Sequence, residues 1–112
     1  MQEANNGTML KHLIQSYLNS RDFARVTASQ GQYRYWLNVL AATEYQGEPF
    51  GQFKYKKLTP PDAQRVYDKL SDRGVTFANR ITAVARKMYN YAMKYGMLNN
   101  NPFSMVQCET PR

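Results

Sequence analysis

Between Asp72 and Glu109 the chain carries no carboxylate, while Arg73, Arg80, Arg86, Lys87 and Lys94 all fall there. A second acid-free stretch, between Glu48 and Asp62, holds Lys54, Lys56 and Lys57. An ordinary solvated helix face interleaves both signs of charge, so runs of one sign point to a surface that meets a polyanion. Arginine, lysine and asparagine are also the side chains that neutralise phosphates and hydrogen-bond base edges. Bond-making chemistry is not visible beside them. Cys108 and His12 are each the single residue of its type. They are too few for a zinc site or a cysteine–histidine couple, and no metal, cofactor or catalytic constellation is expected.

The chain that must position these cations has 112 residues and a formal charge of +7, with 43% hydrophobic residues. That length suits one domain with its own core and is short for an enzyme with a substrate pocket. No apolar run reaches membrane-span length, and the opening "MQEANNGT" lacks the basic-then-apolar pattern of a signal peptide. A cytoplasmic protein with no membrane partner is expected.

Four helical patterns organise the sequence, with little sign of a sheet. Leu10, Leu13, Ile14, Tyr17 and Leu18 keep the spacing of one buried stripe, which predicts a helix over 8–20 with Thr8 as N-cap. Tyr33, Trp36, Leu37, Leu40, Ala41 and Glu44 predict a second over 27–44, its start blurred by "TASQGQ", with Gly47 beyond its end. The segment "QGEPFGQFKYKKL" reads as a connector packed by its aromatics. "TPPDAQRVYDKLSDRG" has Thr59 as N-cap, Pro60 at the first helical position, Asp62 in the first turn and Gly74 as the stop. Ala63, Val66, Tyr67 and Leu70 form its buried stripe.

The last helix is predicted from Thr76, as N-cap, to Tyr95, closed by Gly96. At about 100° per residue, Phe77, Ile81, Val84, Ala85, Met88, Ala92 and Tyr95 gather on one side. Asn79, Arg80, Ala83, Arg86, Lys87, Asn90 and Lys94 gather on the other. The first side is core. The second is a face on which the small Ala83 lets the backbone approach a DNA groove closely.

The stretch "TFANRITAVARKMYNYAMKYGMLNNNPFSMV" resembles the end of the core-binding domain of the tyrosine recombinases, the phage integrase family. The matching positions are Thr76, Asn79, Arg80, Ala92, Gly96, Leu98, Asn101, Pro102 and Phe103. The Tyr33–Leu40 helix, Gly47 and "LTPPDAQRVYDKL" precede it in the family's order, so the resemblance spans nearly the whole chain. It implies an all-α fold, a compact four- to five-helix SAM-like bundle that forms one half of a clamp around double-stranded DNA. Residues 1–7 would then be an N-terminal tail, 8–104 the core-binding domain and 105–112 the start of a linker to a catalytic domain. The family's catalytic arginine, hairpin lysine, H-x-x-R segment and nucleophilic tyrosine have no counterpart here. His12 is followed by Leu13, Ile14 and Gln15, and the helical tyrosines read as packing. The chain is thus expected to be no enzyme by itself, and to be a fragment of a larger recombinase.

In the family the second and fourth helices lie across the major groove. Carried over residue by residue, this assigns DNA contact to Thr76, Asn79, Arg80, Ala83, Arg86, Lys87 and Asn90, and to Gln32, Arg34, Tyr35 and Asn38. Lys54, Lys56 and Lys57 would touch the backbone from the loop, fixing register without reading sequence. The resemblance further implies a parent that is tetrameric on DNA and a fragment that is monomeric in solution. Three other classes compete. A helical protein-interaction domain with a solvated basic face would bind through an apolar or acid-complementary patch. A helix-turn-helix regulator needs two small helices joined by a short turn, and no such pair stands out. A complete small enzyme lacks its catalytic residues.

Overall fold

The computed structural model describes residues 8–110, so the tail over 1–7 and the last two residues lie outside the described residues. It contains five α-helices: α1 (Leu10–Leu18), α2 (Arg21–Ala24), α3 (Gln30–Ala42), α4 (Pro60–Ser71) and α5 (Val75–Lys94). A two-stranded hairpin, β1 (Glu44–Tyr45) and β2 (Glu48–Pro49), follows α3. Short 3-10 turns lie at Phe50–Gln52, Tyr55–Lys57 and Pro102–Met105. The helices fall into two compact units, one ending at Lys57 and the other beginning at Leu58.

In the first unit α1 buries Leu10, Leu13, Ile14 and Tyr17, as its stripe predicts. Its start differs. Met9, not Thr8, is the N-cap, and the Met9 N–H donates to His12 Nδ1 at 3.3 Å. Thr8 is drawn instead into extended pairing: its carbonyl accepts from the Tyr55 N–H at 3.1 Å, Met9 bridges Lys54, and the Leu10 N–H reaches the Phe53 carbonyl at 2.8 Å. Because α1 starts at Leu10, Thr8 lies one residue ahead of the cap position, which Met9 fills in an extended conformation while bridging Lys54.

The four-residue α2 carries too few residues for periodicity to reveal it. Ser20 caps it by accepting from the Phe23 N–H at 3.1 Å. α3 accordingly starts at Gln30, three residues later than its pattern suggests. Beyond Ala42 the chain turns through Gln46 (φ 53°) and Gly47 (φ 85°). Two consecutive left-handed residues are the two-residue turn that matches the twist of a hairpin. Strands this short are not stable alone. Tyr45, Phe50 and Phe53 hold them, with ring centroids 5.4 to 6.0 Å apart and each pair contributing about 0.5–1.5 kcal/mol. Gly51 lets this cluster close on α3, since a Cβ there would lie 2.9 Å from the Ala41 Cβ.

In the second unit α4 begins as its sequence demands. Thr59 Oγ1 accepts from the Asp62 N–H at 3.4 Å, and Asp62 Oδ2 accepts from the Thr59 N–H at 3.0 Å, closing a reciprocal cap ahead of Pro60. Ala63, Val66, Tyr67 and Leu70 are buried. Gly74, at φ 154° and ψ 131°, is the N-cap of α5, in a region open mainly to glycine. Thr76 therefore lies inside the helix and caps nothing.

α5 buries Ala78, Ile81, Thr82, Val84, Ala85, Met88, Tyr89 and Ala92. Phe77 is half-buried and Tyr95 is 56% exposed, so the end of the predicted core face faces out. The helix stops in a Schellman motif: Gly96 (φ 75°) donates to the Met93 carbonyl at 3.1 Å and Met97 to the Ala92 carbonyl at 2.8 Å.

Candidate nucleic-acid interface

Along α5, Thr76, Arg80, Ala83, Lys87, Asn90 and Lys94 are all exposed. At about 100° per residue they fall within about 40° of one line along the helix. The result is a continuous stripe of cations, amide and hydroxyl with a small residue at its middle and no carboxylate. The stripe lies opposite Ala85 and Ala92, both fully buried, so the packing that anchors α5 turns these side chains outward.

Asn79 and Arg86 sit on one flank of this stripe and have partners of their own. Arg86 Nε donates to the Phe103 carbonyl at 2.9 Å and Nη2 to the Val106 carbonyl at 3.0 Å. Asn79 Oδ1 accepts from the Tyr67 hydroxyl at 2.6 Å, and its Nδ2 donates to the Glu109 carbonyl at 3.0 Å. The Tyr67 hydroxyl in turn accepts from the Glu109 N–H at 2.8 Å. Three residues earlier, Gln64 Oε1 accepts from the Gln107 N–H at 2.8 Å and its Nε2 donates to the Gln107 carbonyl at 3.3 Å. The backbone over 103–109 is thus held by side chains of α4 and α5 where a neighbouring strand would hold it in a sheet.

Asn101 fixes the start of that segment. Its Oδ1 accepts from the Phe103 N–H at 3.0 Å, while its Nδ2 donates to the Arg86 carbonyl at 3.1 Å and to Asn90 Oδ1 at 3.0 Å. Pro102 occupies the first position of the 3-10 turn, and Phe103 is buried with its ring 5.5 Å from that of Tyr89. The sequence pattern assigns Asn79 and Arg86 to DNA and does not single out Gln64 or Tyr67 as partners of this segment. No local spacing announces a contact between residues 17 to 43 positions apart. A signal is present in the extended "VQCE" after a Pro-capped turn, whose backbone groups need partners.

The α3 candidates divide. Gln32, Arg34, Tyr35 and Asn38 are all exposed, yet Gln32 points about 160° away from Arg34 at about 100° per residue. Arg34 and Asn38 line a cavity of about 550 Å³ between α1 and α3, and the Arg34 guanidinium lies 5.1 Å from the centre of the Phe23 ring. Lys54, Lys56 and Lys57 are exposed on the connector, beside the buried Tyr55. Burial pushes the Tyr17 hydroxyl up to about 12, with Tyr33 and Asp22 adding to the shift, and burial likewise raises that of Tyr55. Neither has the lowered pKa of an activated nucleophile. Among the described residues no group of three or more His, Cys, Asp or Glu side chains is placed to hold a metal ion, and no helix is long and apolar enough to cross a membrane.

The fold superimposes on the solution structure of the phage integrase SAM-like domain from Moorella thermoacetica with a TM-score of 0.67, over 100% of this chain and 93% of that one. The chain has the phage integrase SAM-like fold. The two sequences are 22% identical, so it is helix order and packing that this SAM-like domain shares with its neighbour. No family model and no curated protein matches the sequence.

Proposed function

We propose that this SAM-like domain is the core-binding domain of a tyrosine site-specific recombinase of the phage integrase type, and that it grips duplex DNA at the recombination core site. The observation that carries the proposal is the exposed, acid-free stripe Thr76–Arg80–Ala83–Lys87–Asn90 on α5. Arg80 and Lys87 neutralise phosphates, Asn90 and Thr76 are placed for groove-edge hydrogen bonds, and Ala83 leaves room for the backbone. Asn79 and Arg86 act mainly by holding the 103–109 segment. Strand cleavage and rejoining belong, in this reading, to a catalytic domain of the same recombinase. The partner is double-stranded DNA in a bacterial or phage-infected cytoplasm, with a tetramer forming on DNA and a monomer off it.

The test is fluorescence anisotropy of a labelled random 30-mer duplex at several salt concentrations, with the wild type and with Arg80→Gln/Lys87→Gln. Log affinity should fall linearly with log salt, and the double variant should lower the slope by about 1.8, roughly 0.9 for each phosphate that is no longer neutralised. Absence of wild-type binding at low salt would overturn the proposal and favour a protein partner at the exposed Met93 and Tyr95.

A further inference from the structure

The cavity between α1 and α3 is lined by Lys11, Gln15 and Asn19 from one side and Arg34 and Asn38 from the other. Ile14, Leu18 and Ala41 form its apolar floor. Lys11, Gln15 and Asn19 are spaced four apart, and so are Arg34 and Asn38, so each set is one stripe and the two stripes face a common space. The lining holds two cations and three amides and no carboxylate. Among the described residues no hydrogen bond or ion pair engages the side chains of Lys11, Gln15, Asn19 or Asn38. This is the reverse of Asn79 and Arg86 on α5, whose donors are already committed to backbone carbonyls. Arg34 is the one member held in place, by its seat on the Phe23 ring, which orients the guanidinium without using its N–H donors.

We infer that this cavity is a seat for the phosphodiester backbone of duplex DNA, with α1 supplying Lys11, Gln15 and Asn19 as contact residues that the major-groove assignments do not include. The inference rests on the DNA-binding reading above. Phosphate is the chemistry that two cations ringed by amide donors recognise: Lys11 provides a point charge, Arg34 a planar fork, and the amides pair with the remaining oxygens. The apolar floor fits the sugar edge of the same strand. Such a contact strengthens binding to every sequence alike and reads none.

The experiment measures the same 30-mer duplex against salt with Lys11→Gln and with Asn38→Asp, an almost isosteric change that places a carboxylate in the cavity. A parallel arm titrates deoxyadenosine monophosphate and follows the amide signals of residues 11–19 and 34–41 by NMR. Both substitutions are at exposed positions, and thermal unfolding confirms that the variants fold. Lys11→Gln should lower the salt slope by about 0.9 and weaken several unrelated duplexes by the same factor. Asn38→Asp should weaken binding further, and the mononucleotide should leave the signals unmoved at concentrations where the duplex saturates. Unchanged affinity and slope in both variants, with Arg80→Gln/Lys87→Gln still weakened, overturns the inference and leaves the α5 interface standing. Saturable mononucleotide binding that Lys11→Gln abolishes while duplex binding is untouched overturns it in favour of a nucleotide site. Failure of the wild type to bind any duplex overturns both readings.

Discussion

Replacing Asn101 with alanine tests whether the segment after α5 is held by its side chains or merely rests on the helix. Asn101 is 9% exposed and makes three hydrogen bonds. They are not equivalent. The Arg86 carbonyl lies inside α5 and keeps its helical partner, and the Asn90 amide is exposed and returns to water, so these two losses cost about 0.5 kcal/mol each. The Phe103 N–H is buried and donates to Asn101 Oδ1 at 3.0 Å. Leaving such a donor unpaired costs about 1–3 kcal/mol. The sum is about 2–4 kcal/mol, large against the total stability of a small domain. Urea unfolding followed by circular dichroism should show the midpoint falling with the slope unchanged. Asn101→Asp retains the acceptor and should restore at least half of the loss. An alanine variant within about 0.5 kcal/mol of wild type, or an aspartate variant as unstable as alanine, refutes the account in which the cap dominates.

Three other substitutions probe separate parts of the molecule. Thr82 is 1% exposed and its hydroxyl has no partner among the described residues, so Thr82→Val, which keeps the branched shape, should raise stability by about 1 kcal/mol in the same urea assay. A lower midpoint would show that the hydroxyl is hydrogen-bonded in solution. Gly51→Ala would place a Cβ 2.9 Å from the Ala41 Cβ and 3.2 Å from its carbonyl oxygen, and should cost about 1–3 kcal/mol by thermal unfolding. No change would mean that the hairpin cluster can back away from α3. Burial raises the Tyr17 pKa from 10.0 to about 12. The neutral phenol is therefore the form the fold favours, so its contribution is complete below pH 10 and is lost as pH rises toward 12. Phenolate absorbance should show a component that rises toward pH 12 alongside unfolding and is absent from the titration of Tyr17→Phe. Ionisation of Tyr17 near its ordinary value of 10.0, with the fold intact, would contradict its burial.

Local signals carry the helices a long way. The Thr59–Pro60–Asp62 start of α4 and the Gly96 end of α5 are legible because caps are short-range: the side chain that satisfies an orphan N–H, or the glycine that turns the chain, lies within a few residues of its partner. The buried stripes of α1 and α4 are legible because a helix that buries one face must repeat its apolar residues at the helical period. Local rules fail where backbone groups have a distant competitor. Thr8 has the right residue type for an N-cap, but its carbonyl pairs with the Tyr55 N–H across the first unit; Thr76 loses the cap of α5 to a near neighbour, Gly74, whose backbone reaches a region open mainly to glycine. The hairpin turn at Gln46 and Gly47 is hidden because its strands are two residues each.

The composition of the basic face was decided by sequence alone, since a stretch without carboxylates has no internal counter-charge in any conformation. Which of its cations face outward was decided by tertiary structure. Arg86 and Lys87 are neighbours in sequence, but a helix turns them about 100° apart. That rotation leaves Lys87 exposed in the stripe and brings Arg86 onto the carbonyls of Phe103 and Val106. The same holds on α1, where periodicity identifies the buried stripe and is silent about Lys11, Gln15 and Asn19. Only the packing of α3 against α1 sets those side chains opposite Arg34 and Asn38. Their spacing along the chain encodes a helix face, and a facing partner is what turns a face into a site.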